Sequence, residues 1–291
     1  MSQVLPLRSR RVSNRQDRFW SVGRRFLPYT VLVAVLLVLR ALLPDPGEQD
    51  YAVRLAGPSS QHPFGTDQLG RDIAARVLQA LSADIPLVAG ITLLTLVLGT
   101  AIGLLSRLHP VLEVLTDVLT DAVLGFPHLL LVLIVLTAMG LGLIPLVVAA
   151  TLIGLPLFVR LSKTLTFKQF SEVYVEAATA LGASPFRILT RHVLPNIAPV
   201  LLGQALIHAA ETLLLLASLS YLGLGRPPPT PSLGSLLQDS RLYFMQQMWA
   251  AVAPGLVVFA LAQALSLAGR SLNRHTTALK HNWLTVGGKD R

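Results

Sequence analysis

Six long apolar runs set what this chain can become: about Phe26 to Leu43, Ile85 to Leu105, Ala122 to Met139, Leu143 to Val159, Val200 to Tyr221 and Trp249 to Ala268. A bilayer core about 30 Å thick takes roughly 20 mostly apolar residues per crossing helix, and each run is close to that length. Lipid offers no partner to an open backbone N–H or C=O, so such runs cross as helices. The expected fold is therefore an all-α polytopic membrane protein with six transmembrane helices. A composition of 53% hydrophobic and 13% charged residues agrees, because a soluble domain carries about twice that share of charge. Pro127 and Pro156 lie inside runs and predict kinks. Asp84 stands where a helix cap belongs and Pro86 in the first turn, which predicts a helix start at Ile85.

Charge placement predicts the orientation. Of a net +9, seven arginines (Arg8, Arg10, Arg11, Arg15, Arg18, Arg24, Arg25) precede the first run. That is the distribution of a topogenic signal rather than of a nucleic-acid binding face. No small-residue cleavage site follows the run, so it is expected to stay as an anchor. The connection from Arg160 to Pro195 and the tail after Ala268 are basic, whereas 44–84 carries six acids (Asp45, Glu48, Asp50, Asp67, Asp72, Asp84) against Arg54, Arg71 and Arg76. The first two belong inside and the third outside, with both termini cytoplasmic. The expected organisation is a basic N-terminus (1–25), a first span (26–43), an external segment with an interfacial helix (44–84), a five-helix core (85–270) and a cytoplasmic tail (271–291).

The inner connection holds a punctuated double helix, "YVEAATALGASPFRILTRHVLPN" (174–196). Ser171 can start a helix over Glu172 to Leu181, and Gly182 can end it in the left-handed conformation. Ser184 and Pro185 then suit the N-cap and first position of a second helix, which is expected to finish before Pro195. Ala177 and Ala178 leave room for another surface to approach closely.

In the fifth run Gln204, His208 and Glu211 fall at i, i+4 and i+7, extended by Ser218, so one helix face is polar. Because a charge in hydrocarbon costs at least about 2.5–3.5 kcal/mol, this face either lines a path for solute or bonds to neighbouring helices. Glu113, Asp117 and Asp121, at i+4 spacing, predict a solvated or paired face at the inner mouth. The absence of cysteine excludes disulfides, thiolate metal sites and cysteine nucleophiles. The seven histidines show no metal-ligand spacing, so no metal is expected; His128 and His208 are the residues to test if a metal ion were the cargo. No phosphate-cradling G-x-x-x-x-G-K-[ST] run and no nucleophile–base set is present, so the chain is not expected to be an enzyme.

Glu176-Ala177-Ala178, then Gly182, then Leu194-Pro195 resemble the EAA loop of permease subunits of ABC importers. "HPFGTDQLGRDIAAR" (62–76) is similar to a segment near the N-terminus of the C-type permease of dipeptide, oligopeptide and nickel importers, with Phe64 for leucine and Ala75 for serine. Its Thr66 or Asp67 can cap an interfacial helix with Leu69, Ile73, Val77 and Leu81 on one face. "YLGLGRPPPTPSLG" (221–234) resembles the outer loop after the fifth span, with Leu233 where tryptophan is usual. The family's acidic run near the end is replaced by Gly269-Arg270-Ser271-Leu272-Asn273.

The resemblance implies a type I ABC importer permease with cytoplasmic coupling helices in a bacterial inner membrane. It implies a homologous partner permease, two ATPase subunits that hold ATP and Mg, and an external binding protein that delivers peptides or nickel. Glu176, Ala177, Ala178, Gly182, Leu194 and Pro195 would then couple to the ATPases, while Gln204, His208 and Glu211 are the candidate path-lining residues. The alternative from another class is a secondary transporter or channel working without ATP, which calls for repeated halves that this chain does not show.

Overall fold

The structure, a computed structural model, describes residues 45–286, with side chains through 274. The predicted first span and the arginine-rich segment before it lie outside the described residues. Helices α1 (Ile73–Leu105), α2 (Pro110–Gly125), α3 (His128–Met139), α4 (Leu143–Phe170), α5 (Val173–Ala180), α6 (Pro185–Ile188), α7 (Leu194–Tyr221), α8 (Leu233–Ser240) and α9 (Trp249–Val286) follow in order. Four helical runs among the described residues, Ile73–Leu108, Leu143–Phe170, Pro185–Tyr221 and Trp249–Arg274, are long and apolar enough to cross a membrane. A fifth is present if Pro110–Gly125 and His128–Met139, bent by 98°, count as one span.

Several expected boundaries move, each for a local reason. Helix α1 does not begin at Ile85. It starts twelve residues earlier, where the Asp72 carboxylate accepts from the Ala75 N–H, and neither Thr66 nor Asp67 is the cap. Asp84 sits inside this 33-residue helix, and its carboxylate is taken up by partners from another part of the chain. Pro86 is carried in the helix interior, forfeiting one backbone bond. The interfacial helix and the second span are thus one continuous helix of about 50 Å.

The expected span Ala122 to Met139 is two helices rather than one kinked one. Phe126 and Pro127 both adopt extended backbone, as the residue before a proline favours. With 12 residues, α3 alone reaches only about 18 Å. The helix expected to stop before Pro195 instead runs through a π-helical turn, Leu189–Val193, into α7. The wider turn makes room for the proline ring at the head of α7. Helices α4 and α9 outrun their apolar stretches, to Phe170 and Val286.

Close helix crossings hold the bundle. Gly99 and Gly103, one small-xxx-small pair on α1, lie against α4, where a methyl group at Gly99 would meet Phe158 Cβ at 2.6 Å and one at Gly103 would meet Ser162 Oγ at 2.0 Å. The α7–α9 crossing is built the same way. A methyl at Gly203 would fall 2.0 Å from Asn273 Oδ1, and one at Gly269 would fall 2.5 Å from the Gly203 carbonyl. Two residues of the divergent 269–273 run therefore serve as packing elements.

Helix α2 is strapped to its surroundings by its acids. Glu113 pairs with Arg107 at 3.0 Å, Asp117 with Lys163 at 2.5 Å, and Asp121 with Arg160. Of the two arrangements the spacing allowed, this face is the paired one. Val111, Val114, Leu115 and Val118 remain exposed on α2, an apolar surface suited to lipid or protein.

Gly103→Leu is expected to push α1 off α4 and cost about 1–3 kcal/mol, lowering the melting temperature of the detergent-purified complex. Gly90→Leu, in the same helix but with open space around its Cβ, is the matched control and should leave that temperature unchanged.

Candidate functional site

The punctuated hairpin between α4 and α7 is anchored on one side and bare on the other. Val175, Ile188, Leu189 and Val193 are buried with Leu104, Phe158, Ile197 and Leu201 in one apolar cluster, so the hairpin is cemented to α1, α4 and α7. Tyr174 donates to Gln169 Oε1 at 2.6 Å, tying α5 back to the end of α4. Burial pushes the Tyr174 hydroxyl up, a hydrogen bond to Asn196 opposes this, and Glu172 adds to the rise, so the phenol stays protonated and able to donate.

Glu176 and Ala177 are exposed, Ala178 is half-buried, and Val173 and Leu181 are 78% and 88% exposed. Gly182 has φ +81° with nothing within 4 Å of an added Cβ, so only the backbone conformation requires glycine there. Ser184 caps α6 by accepting from Arg187 N–H at 3.4 Å, with Pro185 at its head, as the sequence implied. Ser171 does not cap α5; the extended Glu172 precedes it without a side-chain bond. Leu194 and Pro195 form the first turn of α7, continuous with α6, whereas Glu176, Ala177 and Ala178 lie on α5 and Gly182 in the turn between α5 and α6. Three exposed apolar side chains, Val173, Leu181 and Phe186, crown it. Sequence reading passed over these, although an apolar residue in a polar loop is a usable signal.

The polar stripe of α7 does not stay together. His208 is buried, with Nδ1 3.5 Å from Glu211 Oε2, Nε2 3.4 Å from Thr212 Oγ1, and the Phe158 ring edge-on at 5.4 Å. It fills the space left by Gly154, where a Cβ would stand 2.5 Å from Nε2. Gln204 is half-buried, while Glu211 and Ser218 are exposed. The helix thus turns one member of the stripe inward as a packing group and leaves the others on its outer face. Among the described residues no cluster of three His, Asp or Glu could hold a metal ion.

At the opposite end of the bundle the 62–76 segment is a knot of paired charges. Asp67 accepts from Leu69 N–H at 2.8 Å, Arg71 N–H at 3.0 Å, Arg71 Nε at 2.8 Å and Arg76 Nη1 at 2.7 Å, which fills the capacity of its carboxylate. His62 Nδ1 meets Asp72 at 2.9 Å, and Arg76 reaches Asp239 on α8 at 3.5 Å. Gly65 and Gly70 take φ near +75°, packed against backbone of 56 and 50, positions a side chain could not occupy. Asp84 accepts from Leu233 N–H at 2.9 Å and pairs with Arg226. This bond joins α1 to the loop 222–232 across more than 140 positions of sequence and was not visible from local pattern.

The chain matches the family described as "Binding-protein-dependent transport system inner membrane component" over residues 95–277. It is 34% identical to the glutathione transport system permease protein GsiD of Pectobacterium atrosepticum, over 94% of each chain. It is 30% identical to the dipeptide transport system permease protein DppC of Haemophilus influenzae, covering 89% of this chain and 90% of that one. In fold it is similar to a chain of the MetNI methionine ABC transporter in an inward-facing conformation, with TM-score 0.55 and 17% identity over 69% of this chain and 95% of that chain.

Asp67→Asn turns an acceptor toward two guanidinium groups into a donor, and thermal unfolding in detergent should show a loss of about 3 kcal/mol or more, the range for breaking a buried pair. Asp239→Asn, at a 39% exposed partner, should cost less than about 1 kcal/mol.

Proposed function

The chain belongs to the family of binding-protein-dependent transport system inner membrane components, and from that membership we propose that its cargo is peptides and that the hairpin at 171–195 is where ATPase motion enters it. The protein is the permease subunit of an ABC importer, a non-catalytic, multi-pass component of the inner membrane that works with ATPase and binding-protein partners. Peptide cargo is supported by relatives whose names specify glutathione and dipeptide transport; nickel has no comparable support. The finer assembly is a first span at 26–43 completing six, both termini cytoplasmic, a homologous partner permease, two ATPases binding ATP and Mg, and an external binding protein.

The observation that carries the coupling role is the two-faced hairpin. Val175, Ile188, Leu189 and Val193 bind it to three spanning helices, so a push on α5 moves α1, α4 and α7 together. Its other face offers Glu176, Ala177 and the exposed Val173, Leu181 and Phe186. A groove in an ATPase that admits small residues and apolar tips would fit that face. Closure of the ATPases on ATP would then tilt the spans as a rigid body and exchange inward for outward access.

Glu176→Lys and Gly182→Val both alter exposed positions and should leave insertion and folding intact, apart from about 1–2 kcal/mol of backbone strain at Gly182. Each is expected to cut ATP-driven peptide uptake in proteoliposomes at least tenfold and to weaken co-purification of the ATPases. Normal uptake by both variants contradicts the coupling role.

A further inference from the structure

Glu211 is the sole acidic residue of α7 and lies about 15 Å from its Tyr221 end, deep in a spanning helix. Its side chain is 61% exposed. A carboxylate in hydrocarbon is costly and must be wet or paired, yet among the described residues no lysine or arginine lies within ion-pair distance of it. The apolar stretches of α1 and α4 that pack against α7, 85–105 and 143–159, contain no charged side chain. His208 stands behind it. Held by Phe158, Gly154 and Thr212, this ring places its Nδ1 3.5 Å from Glu211 Oε2, a polar edge beside the carboxylate at longer than ordinary hydrogen-bond range.

We propose that Glu211, backed by His208, is a cation-recognition point on a water-filled face of the subunit, and that the cation is the ammonium group of a peptide. This rests on the peptide-importer reading. An ammonium brings three donors and one positive charge, which a single carboxylate with neutral oxygen acceptors can satisfy; a divalent metal would ask for more ligands than this face provides. Gln204 and Ser218 lie on the same face about 10 Å to either side, two neutral acceptors along the path that the ammonium would follow. His208 is a positioning residue in this scheme, and cargo meets only Glu211.

The absence of cysteine from this chain allows a direct test. Ser218→Cys, in a complex whose other subunits are also cysteine-free, is labelled with cationic and anionic thiosulfonate reagents of equal size. With Glu211 present the cationic reagent should react faster, and Glu211→Gln should lower the cationic-to-anionic rate ratio about fourfold or more. In parallel, Glu211→Gln should reduce dipeptide uptake about tenfold with assembly of the complex unchanged, and Glu211→Asp should retain part of it. An unchanged ratio with normal peptide uptake, or no reaction at position 218, overturns the role of Glu211 alone. Loss of assembly in Glu211→Gln shows instead that the carboxylate pairs with a base of the partner permease. If the unmutated complex moves no peptide, the importer's peptide reading falls and the ammonium assignment with it.

Discussion

Close contact between helices that share a lipid surround is the constraint on which this architecture depends. Lipid tails are as apolar as leucine, so burial of apolar area gives little reason for one spanning helix to prefer another. What remains is fit. Gly99 and Gly103 let α1 reach the Phe158 to Ser162 turn of α4, and Gly203 with Gly269 lets α7 reach α9 at backbone range. Dispersion contacts accumulate only at such distances, and each crossing brings the remaining polar groups into register. His208 finds its niche because Gly154 has no side chain, and Asn273 sits where Gly203 makes space.

On the proposed coupling role, the same fit would let the hairpin act as a lever. The 37 residues from Pro185 through the π-helical segment to Tyr221 form one uninterrupted helical run, and its buried side is shared with α1 and α4. A flexible loop carrying the same surface residues would absorb a push instead of transmitting it. The π-turn at Leu189–Val193 accommodates Pro195 without breaking the run, which is why stiffness survives a residue that ordinarily ends helices.

The lipid-crossing nature of the chain, the Gly182 turn, the Ser184-Pro185 start and the pairing potential of Glu113, Asp117 and Asp121 were legible because each follows from composition or from spacing along one element. Asp84 and Pro86 misled for the same reason. Local chemistry offers a cap and a first turn at that place, but the carboxylate finds Arg226 and Leu233 N–H, and helix α1 continues through. Pairings of that kind depend on which distant segment arrives, and no periodicity encodes it. The stripe on α7 was read correctly as a spacing and only partly as a face, since i, i+4 and i+7 drift around a 3.6-residue helix far enough to turn His208 inward while Glu211 stays out.

Acidic side chains therefore sort by their surroundings. Asp67 and Asp84 are buried, Asp67 filled by four donors and Asp84 paired at each oxygen with Arg226 or the Leu233 N–H, which makes them clamps on the loop-rich end. Asp117 and Asp121 are half or more exposed yet paired with Lys163 and Arg160, so they strap α2 to α4. Glu211 differs from both groups, being 61% exposed with no lysine or arginine within ion-pair distance among the described residues, and that combination is what the proposed cation role rests on. On the proposed reading, a carboxylate standing between the exposed Leu202 and Leu214 is the strongest attraction for a cation that this face of α7 can offer.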